Sequence, residues 1–137
     1  MKVIFLLNGK IGGAFIKHVC KTSKIEIVAC ISEHPEIISD ASPGTPIEKF
    51  EYGDNYQFLE YYQFDCIISY NWNYRLPEEI CDKYNCYNFH QALLPRHRGP
   101  IPLVFTILQN DIEAGVTLHR MRRDFDKGEI YAQEKFF

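Results

Sequence analysis

The chain predicts an α/β fold on an open, mostly parallel, Rossmann-like sheet. Three observations carry that expectation. The continuous apolar run Val3–Leu7 is what a strand buried on both faces requires. Segments with apolar residues at helical spacing alternate with such runs. The junctions between them carry turn chemistry, as at Asn8-Gly9. At 137 residues the chain is expected to form a single domain, 1–137.

In order along the chain, Val3–Leu7 is the first strand and ends at the Asn8-Gly9 turn. Ala14, Phe15, Val19 and Cys20 then fall at roughly helical spacing, and Ile25–Ile31 reads as a second strand. Strand, helix, strand suggests a parallel βαβ unit. Residues 32–55 contain three prolines and two glycines and predict a loop with short helical pieces. A helix is expected over 56–63, a strand over 65–70, and another helix opening at "LPEEICDKY" with Pro77 near its first turn. "NCYNFH" is strand-like, 101–110 helical, 115–121 a strand, and 129–136 a last strand preceded by an Asp-x-Gly turn.

The glycines of "NGKIGG" follow the first strand but stand at 9, 12 and 13, not in the order G-x-G-x-x-G. No acidic ribose ligand is evident after the second strand, so nicotinamide binding is not expected. The spacing suits a closely packed turn near a ligand, with Asn8 and Lys10 as candidate substrate-binding residues.

Composition narrows the function classes. Hydrophobic residues at 46% and charged residues at 24% describe a globular chain, and a net charge of −3 argues against wrapping nucleic acid by bulk charge. All six arginines lie between residues 75 and 123, so this half can offer an anion a positive rim. Nine Tyr, ten Phe and Trp72 are expected to serve packing rather than base stacking. Five cysteines without C-x-x-C spacing predict free buried thiols in a reducing compartment, and neither a zinc site nor a disulfide scaffold. The opening "MKVIFLLNG" is too short for a signal peptide and no apolar stretch reaches membrane-spanning length. The cytoplasm is the expected location, with no membrane partner.

Residues 87–105, "YNFHQALLPRHRGPIPLVF", concentrate the chemistry. On a strand, residues two apart share a face, so Asn88 and His90 project together at a strand end, where α/β sheets bind ligands. By themselves the pair reads more readily as a turn cap and a satisfied semi-buried histidine. The loop after them, Leu93-Leu94-Pro95 and Arg98-Gly99-Pro100-Ile101-Pro102, is stiffened by proline and would hold His90 in place. A second polar loop, "RRDFDKGEI", carries Asp126, which could orient or charge-stabilise an imidazole.

These residues resemble the formyltransferases that use 10-formyltetrahydrofolate. The shared pattern is Asn88-Phe89-His90, Leu94-Pro95, Arg98-Gly99, Pro102, Gly115-Val116-Thr117-Leu118-His119 and Asp126-Lys127-Gly128. The resemblance weakens toward the N-terminus, where the strand-turn-helix character and "NYRLPEEI" carry it. It implies the N-terminal domain of that family, with no metal, and catalytic roles for Asn88, His90 and Asp126. An amine attacks the formyl carbon; Asn88 donates to the oxyanion, His90 assists proton movement and Asp126 holds His90 in the required state. It further implies folate contacts at Tyr74, Arg75, Leu76 and Pro77 and in the loop containing Arg123 and Asp124. Arg98 and Gly99 join Asn8 and Lys10 as candidate substrate ligands. Relatives continue with at least another helix beyond the last strand, so the domain is expected to be short at its C-terminus and open to self-association.

"NGKIGG" lacks the serines of the glycinamide ribonucleotide enzymes' phosphate loop, and the extra RNA-binding domain of the methionyl-tRNA enzymes is not evident. By elimination the expected acceptor is the amine of a nucleotide-linked amino sugar, whose pyrophosphate suits the arginines, with no nucleic-acid partner. The competing readings are a catalytically silent folate- or nucleotide-binding module and the catalytic domain of one of those other two formyltransferases. A hydrolase using His90 lacks any G-x-S-x-G elbow.

Overall fold

The computed structural model describes residues 1–22, 24–122 and 128–136. Met1–Arg75 and Leu76–Phe137 are two compact units.

In the first unit, β1 (Lys2–Leu7), β2 (Glu26–Ser32), β3 (Ile47–Lys49) and β4 (Cys66–Tyr70) run parallel in the order β3-β2-β1-β4. With a strand paired on each edge, β1 lies inside the sheet. Val3, Ile4, Phe5, Leu6 and Leu7 are each at most 1% exposed, and burial of such side chains stabilises by about 1.5–3 kcal/mol apiece. The expected apolar run is therefore the centre of this unit's core.

Helix α1 (Gly9–Thr22) starts at once after the Asn8 turn, and the Gly12 N–H donates to the Asn8 carbonyl at 3.0 Å. A Cβ on Gly12 would stand 3.0 Å from Leu7 Cβ and 3.2 Å from the Leu7 carbonyl carbon. The glycine is there so that α1 can lie against the end of β1. Gly13 does the same against Ile37 of α2 (Pro35–Ala41), where a Cβ would be 3.1 Å from Cγ2. Helix-on-strand and helix-on-helix contact account for the spacing that failed the dinucleotide pattern.

The 32–55 stretch is more ordered than its prolines suggested. Pro35 opens α2 from its first turn, and β3 adds a short edge strand. The helix expected over 56–63 is a 3-10 helix, Gln57–Tyr61, entered through Tyr56 at φ +60°. Only Leu59 is buried in it, so no apolar face is long enough to hold an α-helix. The aromatic residues of this region gather around Phe50, with ring centroids 5.0 Å from Tyr56, 4.9 Å from Trp72 and 5.0 Å from Tyr74. Trp72 Nε1–H donates to the Tyr56 hydroxyl at 3.2 Å. Packing, as expected, explains them.

In the second unit α3 (Glu78–Lys83) is preceded by Pro77 and carries Glu78 and Glu79 in its first turn and Lys83 in its last, matching the helix dipole. Strands β5 (Cys86–His90), β6 (Gly115–Arg120) and β7 (Ile130–Lys135) run antiparallel in that order. The α/β fold with a mostly parallel sheet is thus present, its parallel pairings in the first unit. Gly115 sits where β6 approaches β7 and the Leu93 loop; a Cβ there would be 2.3 Å from the Glu134 carbonyl oxygen and 2.5 Å from Leu93 Cδ2. Among the described residues no helix is long and apolar enough to cross a membrane.

Candidate active site

The register of β5 on β6 sets Asn88 opposite His119 and His90 opposite Thr117. Opposed residues of an antiparallel pair share a face, as do residues two apart on one strand. Asn88, His90, Thr117 and His119 therefore form one polar group, in which His90, Thr117 and His119 are 5%, 0% and 2% exposed.

Hydrogen bonds assign the tautomers. His119 Nδ1 lies 3.0 Å from the Arg120 carbonyl oxygen, which can only accept, so Nδ1 carries the proton. His119 Nε2 then presents its lone pair to one N–H of Asn88 Nδ2 at 3.3 Å. By the same reasoning His90 Nε2 carries a proton and donates it to the His97 carbonyl oxygen at 2.7 Å. The two rings meet edge to face with centroids 6.3 Å apart. The result is a half-buried amide donor and two oriented, buried imidazoles on one face, a set suited to steadying negative charge and moving a proton.

The loop that leaves β5 is tied down from β6 and β7. The Thr117 hydroxyl donates to the Ala92 carbonyl at 2.7 Å and accepts from the Leu94 N–H at 3.1 Å and from Gln133 Nε2 at 2.9 Å. Gln133 Nε2 also donates to the Leu94 carbonyl at 2.8 Å. The Leu94-Pro95 peptide is cis, and Arg96 N–H closes the turn on the Leu93 carbonyl at 3.1 Å. Beyond it His97 adopts φ +53° and Gly99 φ +97°. The His97 side chain is held by Asp111, Nε2 to Oδ2, and Arg96 Nη2 takes the other carboxylate oxygen. The hydrogen bond from His97 holds the Asp111 carboxyl below the ordinary carboxylate range, and Arg96 acts in the same direction against the effect of desolvation.

Of the residues expected from the sequence, Asn88 and His90 stand together. Arg98 and Gly99 follow His97 in its loop, with Arg98 exposed. Asp126, Arg123 and Asp124 lie outside the described residues. Leu76 is buried at 4% and Pro77 precedes α3, so both side chains serve the fold of the second unit. In the first unit Lys10 and Arg75 are exposed. Asn8 is only 2% exposed, and its amide is taken up internally: Nδ2 donates to Glu33 Oε2 at 2.8 Å and Oδ1 accepts from the Glu33 N–H at 3.0 Å. That side chain locks the ends of β1 and β2 together rather than presenting itself to a substrate. Tyr74 donates its hydroxyl to Glu33 Oε1. An acidic residue, Glu33, thus stands directly after β2, with its carboxylate occupied by Asn8 and Tyr74.

Sequence reasoning counted Thr117 and His119 only as motif letters and gave His97, Asp111 and Gln133 no role. Alternation along Gly115-Val116-Thr117-Leu118-His119 was a usable signal for the first two, since it puts both on the inward face.

Residues 1–136 match the formyl transferase family model. The chain is 29% identical over 150 residues to the methionyl-tRNA formyltransferase of Mycoplasma mycoides subsp. mycoides SC, covering 98% of this chain and 47% of that protein. It is 35% identical over 116 residues to that of Wolbachia pipientis subsp. Culex pipiens, covering 83% and 36%. The chain therefore spans about half or less of the length of these curated relatives. Among solved structures, phosphoribosylglycinamide formyltransferase from Bacillus halodurans superposes with a TM-score of 0.85 at 20% identity, covering 99% of this chain and 79% of that one. A 4-N formyltransferase from Francisella tularensis superposes with a TM-score of 0.75 at 19% identity, covering 99% and 56%. Fold and family match coincide over nearly the whole length, and the chain belongs to the formyl transferase family.

Proposed function

We propose that the protein transfers a formyl group from 10-formyltetrahydrofolate to a primary amine, with Asn88 and His90 as the catalytic pair. The observation that supports this most is the shared face of the half-buried Asn88 and the buried His90 and His119, in a chain of this family. The cosubstrate supplies an electrophilic formyl carbon. An N–H of Asn88, whose amide is oriented by His119, donates to the formyl oxygen as it gains negative charge. His90, whose Nε2–H is committed to the His97 carbonyl, accepts the proton that the attacking amine must lose. The carbon–nitrogen bond to the acceptor forms, the bond to the folate nitrogen breaks, and the proton passes to that nitrogen. Asp126 is proposed to stabilise the positive charge that His90 gains with that proton. Tyr74, Arg75, Leu76, Pro77, Arg123 and Asp124 are proposed for the folate, and Arg98, Gly99 and Lys10 for the acceptor.

For the acceptor we favour a nucleotide-linked amino sugar, on the arginines between 75 and 123 and the absence of serine from "NGKIGG". A second reading, methionyl-tRNA, is supported by the relatives found by sequence. The test incubates the protein with 10-formyltetrahydrofolate and, separately, nucleotide-linked amino sugars, methionyl-tRNA and glycinamide ribonucleotide. Mass spectrometry then seeks a product heavier by one formyl group. A formylated amino sugar supports the reading in full; formylated methionyl-tRNA replaces the acceptor but keeps the reaction; no product together with measurable folate binding makes the chain a silent binding module.

A further inference from the structure

We infer that Asp111 is a positioning residue for His90, acting through the backbone of His97; the inference rests on the proposed use of His90 in formyl transfer. The argument starts at the end of α4 (Pro102–Leu108). Asn110 takes φ +56°, the left-handed conformation that asparagine tolerates and that commonly ends helices. The Asn110 N–H donates to the Ile107 carbonyl at 3.0 Å and the Asp111 N–H to the Thr106 carbonyl at 3.1 Å. That pair of bonds is a Schellman cap, and it fixes the backbone of Asp111 against the helix.

From this anchored position the carboxylate reaches His97 Nε2 at 2.5 Å, and both side chains are 7% exposed. His97 is the residue whose own backbone is left-handed, at φ +53°, a conformation uncommon for residues with a Cβ although histidine takes it more readily than most. Holding the imidazole from one side keeps the backbone in that conformation. Its carbonyl oxygen then points at His90 Nε2, 2.7 Å away. The chain of support therefore runs from helix cap to carboxylate, to the His97 side chain, to the His97 carbonyl and to the His90 tautomer. No atom of Asp111 needs to touch a substrate. Arg96 binds the same carboxylate from outside with its side chain 56% exposed, and it is not a link in this chain.

The test uses two variants that break the link at different places. Asp111→Asn removes the carboxylate, and His97→Asn removes the imidazole while keeping a residue that accepts a left-handed backbone. Arg96→Met serves as the control. Nitrogen-15 NMR of the histidine rings reports the protonated nitrogen of His90 directly, without any turnover. The wild type is expected to show His90 protonated on Nε2. Both linking variants are expected to lose that single tautomer and to lower kcat about tenfold to a hundredfold at little change in folate KM, as misplacement of a catalytic group does. Arg96→Met is expected to keep the wild-type His90 tautomer. An unchanged His90 tautomer in either linking variant, or the same loss in Arg96→Met, overturns the inference. If the wild type shows no formyl transfer, the proposed function fails, while the ring spectra still decide whether Asp111 positions His90.

Discussion

His90 and Asn88 owe their chemistry to neighbours that commit one atom of each: the His97 carbonyl takes His90 Nε2–H, and His119 Nε2 takes one Asn88 N–H. Thr117 does comparable work for the loop between them and His97, because one hydroxyl satisfies the Ala92 carbonyl and the Leu94 N–H. Valine has nearly the same shape but no hydroxyl. Thr117→Val should strand both groups in a site that is 0% exposed, costing about 1–3 kcal/mol for each. Urea unfolding measures it, and a loss within experimental error of zero would mean that water replaces the hydroxyl. Asn88 and His90 were legible in the sequence because alternation along a strand puts residues two apart on one face. His97 and Asp111 were not, because the link between them and His90 passes through a main-chain carbonyl, which leaves no side-chain pattern.

At the scale of elements, glycines decide how closely pieces approach. Gly115 occupies β6 where any Cβ would meet the Glu134 backbone at 2.3 Å, and a strand backbone cannot step aside as a flexible side chain can. Gly115→Ala should push β7 and the Leu93 loop away from β6, destabilising by about 1–3 kcal/mol or more, as overpacking does. A thermal midpoint equal to that of the wild type would show that β7 yields freely. The strands and α1 were readable from apolar runs and helical spacing. A short helical piece was expected where α2 lies, whereas β3 was hidden by Pro43 and Pro46, which signal a break in structure. The 3-10 helix was overread, since a single buried residue, Leu59, cannot supply the periodic face that the pattern around it suggested.

For the whole molecule, acid stability is where the Asp111 arrangement should be visible. Its carboxyl is held below its unfolded value, so its contribution is complete above the unfolded pKa and is lost as pH falls through the folded one. The stability advantage of wild type over Asp111→Asn should thus be present near neutrality and shrink below about pH 4. Urea midpoints of the two proteins across that range measure it; an advantage that does not change with pH would contradict the assigned cause. The thiols follow the composition reading in large part: Cys30, Cys66, Cys81 and Cys86 are free and buried, while Cys20 is exposed. Burial pushes the Cys30 thiol up to about 12, which keeps it protonated near neutrality.

The most direct test of the central claim is the single-turnover rate of formyl transfer from 10-formyltetrahydrofolate in wild type, Asn88→Ala and His90→Ala, using the acceptor that the panel identifies. The account predicts losses of about a hundredfold to a thousandfold for Asn88→Ala and of at least about a hundredfold for His90→Ala, with folate affinity little changed. Transfer at the wild-type rate in either variant would contradict it, because the shared face of β5 and β6 would then not be where the reaction occurs.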